Sequence, residues 1–110
     1  MKSLKERVME LGTVVELAVG REKGETKDLI GEVITINNAE IVEMDGDTFI
    51  AFTIAEEKKK FYFGGKVLSN DLITLINEGY LDAIRKEGVK LTLNEEKSKN
   101  NRTYTKVTYL

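Results

Sequence analysis

The sequence predicts a mainly β domain with helices: a five-stranded barrel with one helix between its third and fourth strands and an added helix at the N-terminus. Three observations carry this. An Asp-Gly pair at residues 45–46 sits between two β-forming runs, the strongest short-range hairpin signal in the chain. Apolar spacing then changes from strand-like to helical at Leu68 and returns to strand-like at Val89. Finally, 110 residues suffice for one compact domain and are too few for two ordinary ones.

In chain order, Leu4, Val8 and Leu11 fall at i, i+4 and i+7 behind Ser3 and Glu6, which match a capping box, so residues 3–11 are expected to be a short amphipathic helix ended by Gly12. Thr13 to Val19 fits either a strand or a continuation of that helix. Gly20 to Lys27 reads as a polar, flexible connection outside the core. Residues 1–28 are therefore read as the N-terminal helix and its connecting segment, and 29–110 as the barrel domain. From Leu29 a β-forming run, Ile30, Val33, Ile34, Ile36, Ile41 and Val42, is broken by Asn37-Asn38, predicting one long bent strand.

Beyond the turn, Thr48 to Ala55 alternates, with Ile50, Phe52 and Ile54 on one face and Phe49, Ala51 and Thr53 on the other. Glu56 to Lys59 supplies a charged turn, and Lys60 to Phe63 a short aromatic strand ended by Gly64-Gly65. Leu68, Leu72, Leu75 and Ile76 share a helical face that continues through Tyr80, Leu81 and Ile84 past an interruption at Gly79, with Ser69 or Asn70 as cap and Gly88 as stop. Val89 to Leu93 and Thr103 to Leu110 complete the strands around a polar loop from Asn94 to Arg102. A helix between strands three and four of a five-stranded meander is the OB-fold arrangement. The rival built from the same parts is an open α+β sheet with helices on one face.

Composition narrows the function. The chain has no cysteine and no histidine, which removes disulfides, thiol nucleophiles, Cys/His zinc sites and imidazole bases. The acid pairs Asp45 with Asp47 and Glu95 with Glu96 lie in turn-like polar stretches without a partner base, so the protein is read as no enzyme, with no cofactor and no metal. No apolar run approaches the roughly 20 residues that span a bilayer, so no membrane partner is expected. The N-terminus lacks a secretory pattern, and a cytoplasmic location is expected. Net charge is −2 but unevenly placed. Residues 28–57 carry acids and no base, whereas 58–110 carry more bases than acids, so late strands on one face would present a basic groove. The acidic run from Glu40 to Asp47 is expected to lie away from such a groove.

Six short segments add a resemblance: Gly31-Glu32-Val33, Asp45-Gly46-Asp47, Phe52-Thr53-Ile54-Ala55, Phe63-Gly64-Gly65-Lys66, Glu87-Gly88-Val89-Lys90-Leu91 and Arg102-Thr103-Tyr104-Thr105-Lys106-Val107. In this order they resemble the DNA-binding domain of bacterial single-stranded DNA-binding proteins, over residues 31–109. The chain departs from that family in having no tryptophan and no Gly/Pro-rich tail with an acidic-aromatic tip, and so looks more like a phage-encoded member. The resemblance implies an OB fold and sequence-independent binding of single-stranded DNA as an accessory to replication, recombination or repair, with replication or recombination proteins as further partners.

Such binding needs cations that follow phosphates and rings on which bases stack. Lys58, Lys59, Lys60 and Lys66 bracket Phe61, Tyr62 and Phe63. Alternation sends either the two Phe or the Tyr inward, and the resemblance nominates Phe63 as a stacker. Phe49 is a further candidate, and Lys97, Lys99, Arg102, Tyr104 and Lys106 form a basic hairpin able to close over a strand. The alternatives are an OB-fold protein-interaction module or an RNA binder, and Leu4, Val8 and Leu11 could serve a homo-oligomer contact.

Overall fold

The computed structural model describes residues 15–110. In chain order these form strands β1 (Glu22–Lys23), β2 (Val33–Met44), β3 (Asp47–Ile54) and β4 (Glu57–Phe63), helices α1 (Lys66–Asn77) and α2 (Leu81–Glu87), and strands β5 (Val89–Lys97) and β6 (Thr103–Tyr109). Short 3-10 turns occupy Glu16–Ala18 and Thr26–Leu29. The strands make one sheet in the order β1-β4-β3-β2-β5-β6. The β1–β4 pair is parallel and the other four pairs are antiparallel. The helix expected over residues 3–11 lies outside the described residues.

The Asp-Gly signal becomes a two-residue hairpin. Met44 pairs with Asp47, and Asp45 and Gly46 both take positive φ, 53° and 81°, the signature of a type I′ turn whose twist suits the flanking strands. The bend foreseen at Asn37-Asn38 is a β-bulge: the register steps from Ile36 opposite Ile54 to Asn38 opposite Thr53, leaving Asn37 as the extra residue. Because a one-residue insertion reverses the pleat, Ile34 and Ile36 before it and Ala39 and Ile41 after it all reach the same core. Ile50, Phe52 and Ile54 join them, as do Leu91 and Leu93 from β5, Leu68 and Leu72 from α1 and Ile84 from α2.

Both helices thus pack on the main-core side. α1 lies against β3 and β6, and α2 against β2. Ser69, expected as a possible cap, is instead buried inside the first turns of α1. Its hydroxyl accepts the Ile50 N–H at 3.0 Å and donates to the Gly64 carbonyl at 3.1 Å, which fixes the helix to the end of β4 and to β3. At the other flank the Tyr109 hydroxyl donates to the Asp71 carboxylate at 2.7 Å, tying β6 to α1.

The fold departs from the expected five-stranded barrel in two respects: the described residues form six strands, and their sheet is not closed. The helices lie on one face of an open sheet, as in the rival reading. The sixth strand comes from Glu22 and Lys23, inside the stretch expected to be a flexible connection. Gly24 explains how it docks: a Cβ there would stand 2.3 Å from a carbon of the Tyr62 ring, so only glycine lets the chain lie this close. Its N–H donates to the Phe61 carbonyl at 2.8 Å, and the Thr26 hydroxyl donates to the Phe63 carbonyl at 3.0 Å. The outer edge of β4 is thereby occupied by the N-terminal segment.

A second apolar cluster lies on the opposite face of the sheet, where Val15 and Leu17 are buried against Val42 and Ala51, with Phe49 and Phe63 packed beside them. Among the described residues no helix is long and apolar enough to cross a membrane.

Two outcomes check these ties. Ser69→Ala leaves the buried Ile50 N–H without its acceptor and should cost about 1–3 kcal/mol in denaturant unfolding; a loss near zero would remove Ser69 from the account. Burial, the hydrogen bond to Asp71 and the charge of that carboxylate push the Tyr109 phenol well above its ordinary value. A group with a raised folded pKa contributes stability that is complete below its unfolded value, about 10, and lost as pH rises through the folded one. Thermal stability should therefore fall above about pH 10. In Tyr109→Phe that fall should be shallower, and parallel curves for the two proteins would refute the link. The curve should not become flat, because the Tyr62 and Tyr104 phenols are raised as well.

Candidate functional site

Alternation along β4 decides between the two inward choices left open by the sequence. Tyr62 points into the main core, 3% exposed, with its ring stacked on Phe52 at 5.6 Å and an interplanar angle of 24°. Phe61 and Phe63 consequently face the other side. Tyr62, a candidate ligand contact from sequence, is a core residue: its place beneath Gly24 and over Phe52 leaves no ring surface for a base.

On the outer face the three phenylalanines form a chain of edge-to-face contacts. Phe61 meets Phe63 at 5.4 Å and 88°, and Phe63 meets Phe49 at 5.2 Å and 81°. These separations are favourable for ring quadrupoles and hold each ring at a set angle. Phe61 is nearly covered, 8% exposed, whereas Phe49 and Phe63 are half-buried. The Lys23 ammonium stands 5.5 Å from the centre of the Phe63 ring, within cation–π range. Lys23 was missed from sequence because only the pairing of β1 with β4 brings it there.

Lys66 is the hinge between this face and the basic hairpin. It lines one cleft with Phe49, Asp47, Thr48, Ser69 and Asn70. A second cleft, about 200 Å³, lies between the start of α1 and β6, lined by Lys66 with Gly65, Val67, Leu93, Tyr104 and Thr105 among others. Gly65, the N-cap of α1, gives no side-chain cap, and the first turn of the helix holds no acidic residue of its own.

The other candidates divide. Lys58 and Lys59 are exposed near the β3–β4 turn, at the end of β4 away from Phe63. The Lys58 carbonyl accepts a hydrogen bond from Arg21 Nε at 3.2 Å. Lys60 is half-buried opposite Glu22. Lys97, Lys99 and Arg102 are exposed at the tip of the β5–β6 hairpin, where Ser98 N–H donates to the Arg102 carbonyl at 2.8 Å. They do not line either cleft. Glu96 organises the stem: its carboxylate accepts the Tyr104 hydroxyl at 3.1 Å and pairs with Lys106 at 3.6 Å. That hydrogen bond and the Glu96 charge raise the Tyr104 phenol above its ordinary value.

The acidic run does not lie wholly apart. Asp47 lines the Phe49–Lys66 cleft because the type I′ turn places it at the start of β3, two residues before Phe49. Glu40, by contrast, is engaged by the backbone N–H of Glu16 at 3.0 Å.

Comparison with protein-family models, with curated proteins and with solved structures found no match.

The division between inner and outer rings has a direct check. Tyr62→Ala should cost about 3–5 kcal/mol in unfolding experiments, as for a large ring removed from a core. Phe63→Ala, losing two ring contacts on a half-open face, should cost about 1–3 kcal/mol and leave a folded protein. Equal costs would contradict the assignment of faces.

Proposed function

We propose that this domain binds single-stranded DNA without reading its sequence, using the outer face of β3 and β4. The observation that carries the reading is the line Lys23, Phe63, Phe49, Lys66: two half-open rings between two cations. Stacking on such rings is sequence-tolerant, since every base has a π-face, and the lysines answer the phosphates. The net charge of −2 is no obstacle to the reading, because Lys23 and Lys66 flank the rings even though Asp47 shares the Phe49–Lys66 cleft. The run β4-β3-β2-β5-β6, with helices between β4 and β5 in sequence, supports reading the sheet as an OB-type barrel that stays ajar.

A protein-interaction module is the second reading. It is favoured by one observation: the same outer face already accepts a peptide segment of this chain, through Val15 and Leu17.

Fluorescence anisotropy with a labelled oligo-dT across a salt series separates the two. Binding should weaken linearly in log salt, and Lys23→Gln and Lys66→Gln should each lower the slope by about 0.7. Phe63→Ala should lower affinity about 10-fold while leaving the slope unchanged. An absence of binding at low salt would discard the nucleic-acid reading in favour of the protein module. The same titration with oligo-rU compares RNA with DNA.

A further inference from the structure

We infer that the cleft between the start of α1 and β6 is a pocket for one base of the bound strand, an inference that rests on the single-strand reading above. β4 does not pair with β6: its outer edge carries β1 and the Thr26 hydrogen bond to the Phe63 carbonyl, and the cleft between α1 and β6 reaches core residues. Its floor is apolar: Leu68 and Leu93, only 3% and 1% exposed, line it together with Val107. Its mouth carries two large apolar side chains left in solvent, Val67 at 50% and Tyr104 at 44% exposure.

Size and chemistry select the occupant. About 200 Å³ is less than the roughly 300–1,000 Å³ of pockets for drug-sized ligands, and suits a single flat ring system. An apolar floor with Thr26 and Thr105 among the lining residues suits a base, which has apolar faces and polar edges. Tyr104 offers exposed ring surface for stacking, while its hydroxyl donates to Glu96, whose charge is countered by Lys106. Continuity with the aromatic face comes through Lys66, which lines both clefts. A phosphate held at Lys66 and the uncapped N-terminus of α1 would place one base toward Phe49 and its neighbour in the pocket.

The test places 2-aminopurine at successive positions of a short oligo-dT and records its emission and the affinity for wild type, Tyr104→Phe, Tyr104→Ala and Val67→Gln. One position should show an emission change in the wild type and in Tyr104→Phe that is lost in Tyr104→Ala and Val67→Gln. Affinity should fall about 10-fold in Tyr104→Ala with the salt slope unchanged, as expected for a lost stacking contact. Both side chains are substantially exposed, so thermal unfolding should confirm that the variants fold. If Tyr104→Ala and Val67→Gln keep wild-type affinity and emission while Phe63→Ala and Lys66→Gln still weaken binding, the pocket is refuted and the single-strand reading stands. A pocket that responds to an apolar peptide but to no oligonucleotide would overturn both.

Discussion

The bulge at Asn37 is the constraint on which the rest of this fold turns. β2, the longest strand of the sheet among the described residues, is paired on both sides, with β3 along its second half and with β5 along its first. Twelve residues with an unbroken period of two would send Ala39 and Ile41 to the face opposite Ile34 and Ile36. The inserted residue restores them to one core, and side chains hold it in place. The Thr53 hydroxyl donates to the Asn37 side-chain oxygen at 2.7 Å, and the Asn38 side-chain oxygen accepts the Ala39 N–H and Arg85 Nε, each at 3.0 Å. Arg85 belongs to α2, so the kink in the central strand and the seat of the second helix are fixed by the same amide.

The bulge also decides what reaches the other face. Past it, Val42 turns outward opposite Phe49, and Ala51 stands opposite Phe63. A small residue at 51 leaves room for the edge-to-face contacts of the phenylalanines above it. The outer aromatic surface is therefore a consequence of the same register that fills the core.

Much of this was legible in the sequence where local chemistry and tertiary need agree. Asp45-Gly46 is sufficient for its turn, the Asn37-Asn38 break marks the bend, and the alternation from Phe49 to Ile54 gives both faces of β3 correctly. β1 was not legible, because its stabilisation lies in backbone hydrogen bonds and in an absent side chain at Gly24, while Glu22 and Lys23 are both exposed charged residues and leave no apolar pattern. The inward choice on β4 was open for a related reason: three adjacent aromatic residues carry no period, and only the pairing of Phe52 with Tyr62 settles it. The site was legible as a set of types more than as a place. Phe49, Phe63 and Lys66 come together, Tyr62 does not, and Lys23 enters through a strand the sequence hid.

The outer face has two claimants, and their magnitudes compare closely. Burying a leucine contributes about 1.5–3 kcal/mol, so Leu17 against Val42 and Ala51 holds the N-terminal segment there with modest strength. One stacked base is worth about 1–3 kcal/mol. A strand that had to lift Leu17 from the face where Phe49 and Phe63 pack beside it would gain almost nothing from one ring alone. On the single-strand binding proposed above, net affinity would therefore come from surfaces that Leu17 leaves open, the exposed parts of Phe49 and Phe63, and from the cations at either end, whose contribution grows as salt falls. That proposal puts the weight of the interface toward Lys66 and away from the buried Phe61, even though the densest lysine run, Lys58 to Lys60, lies in the first half of β4 next to the β3–β4 turn.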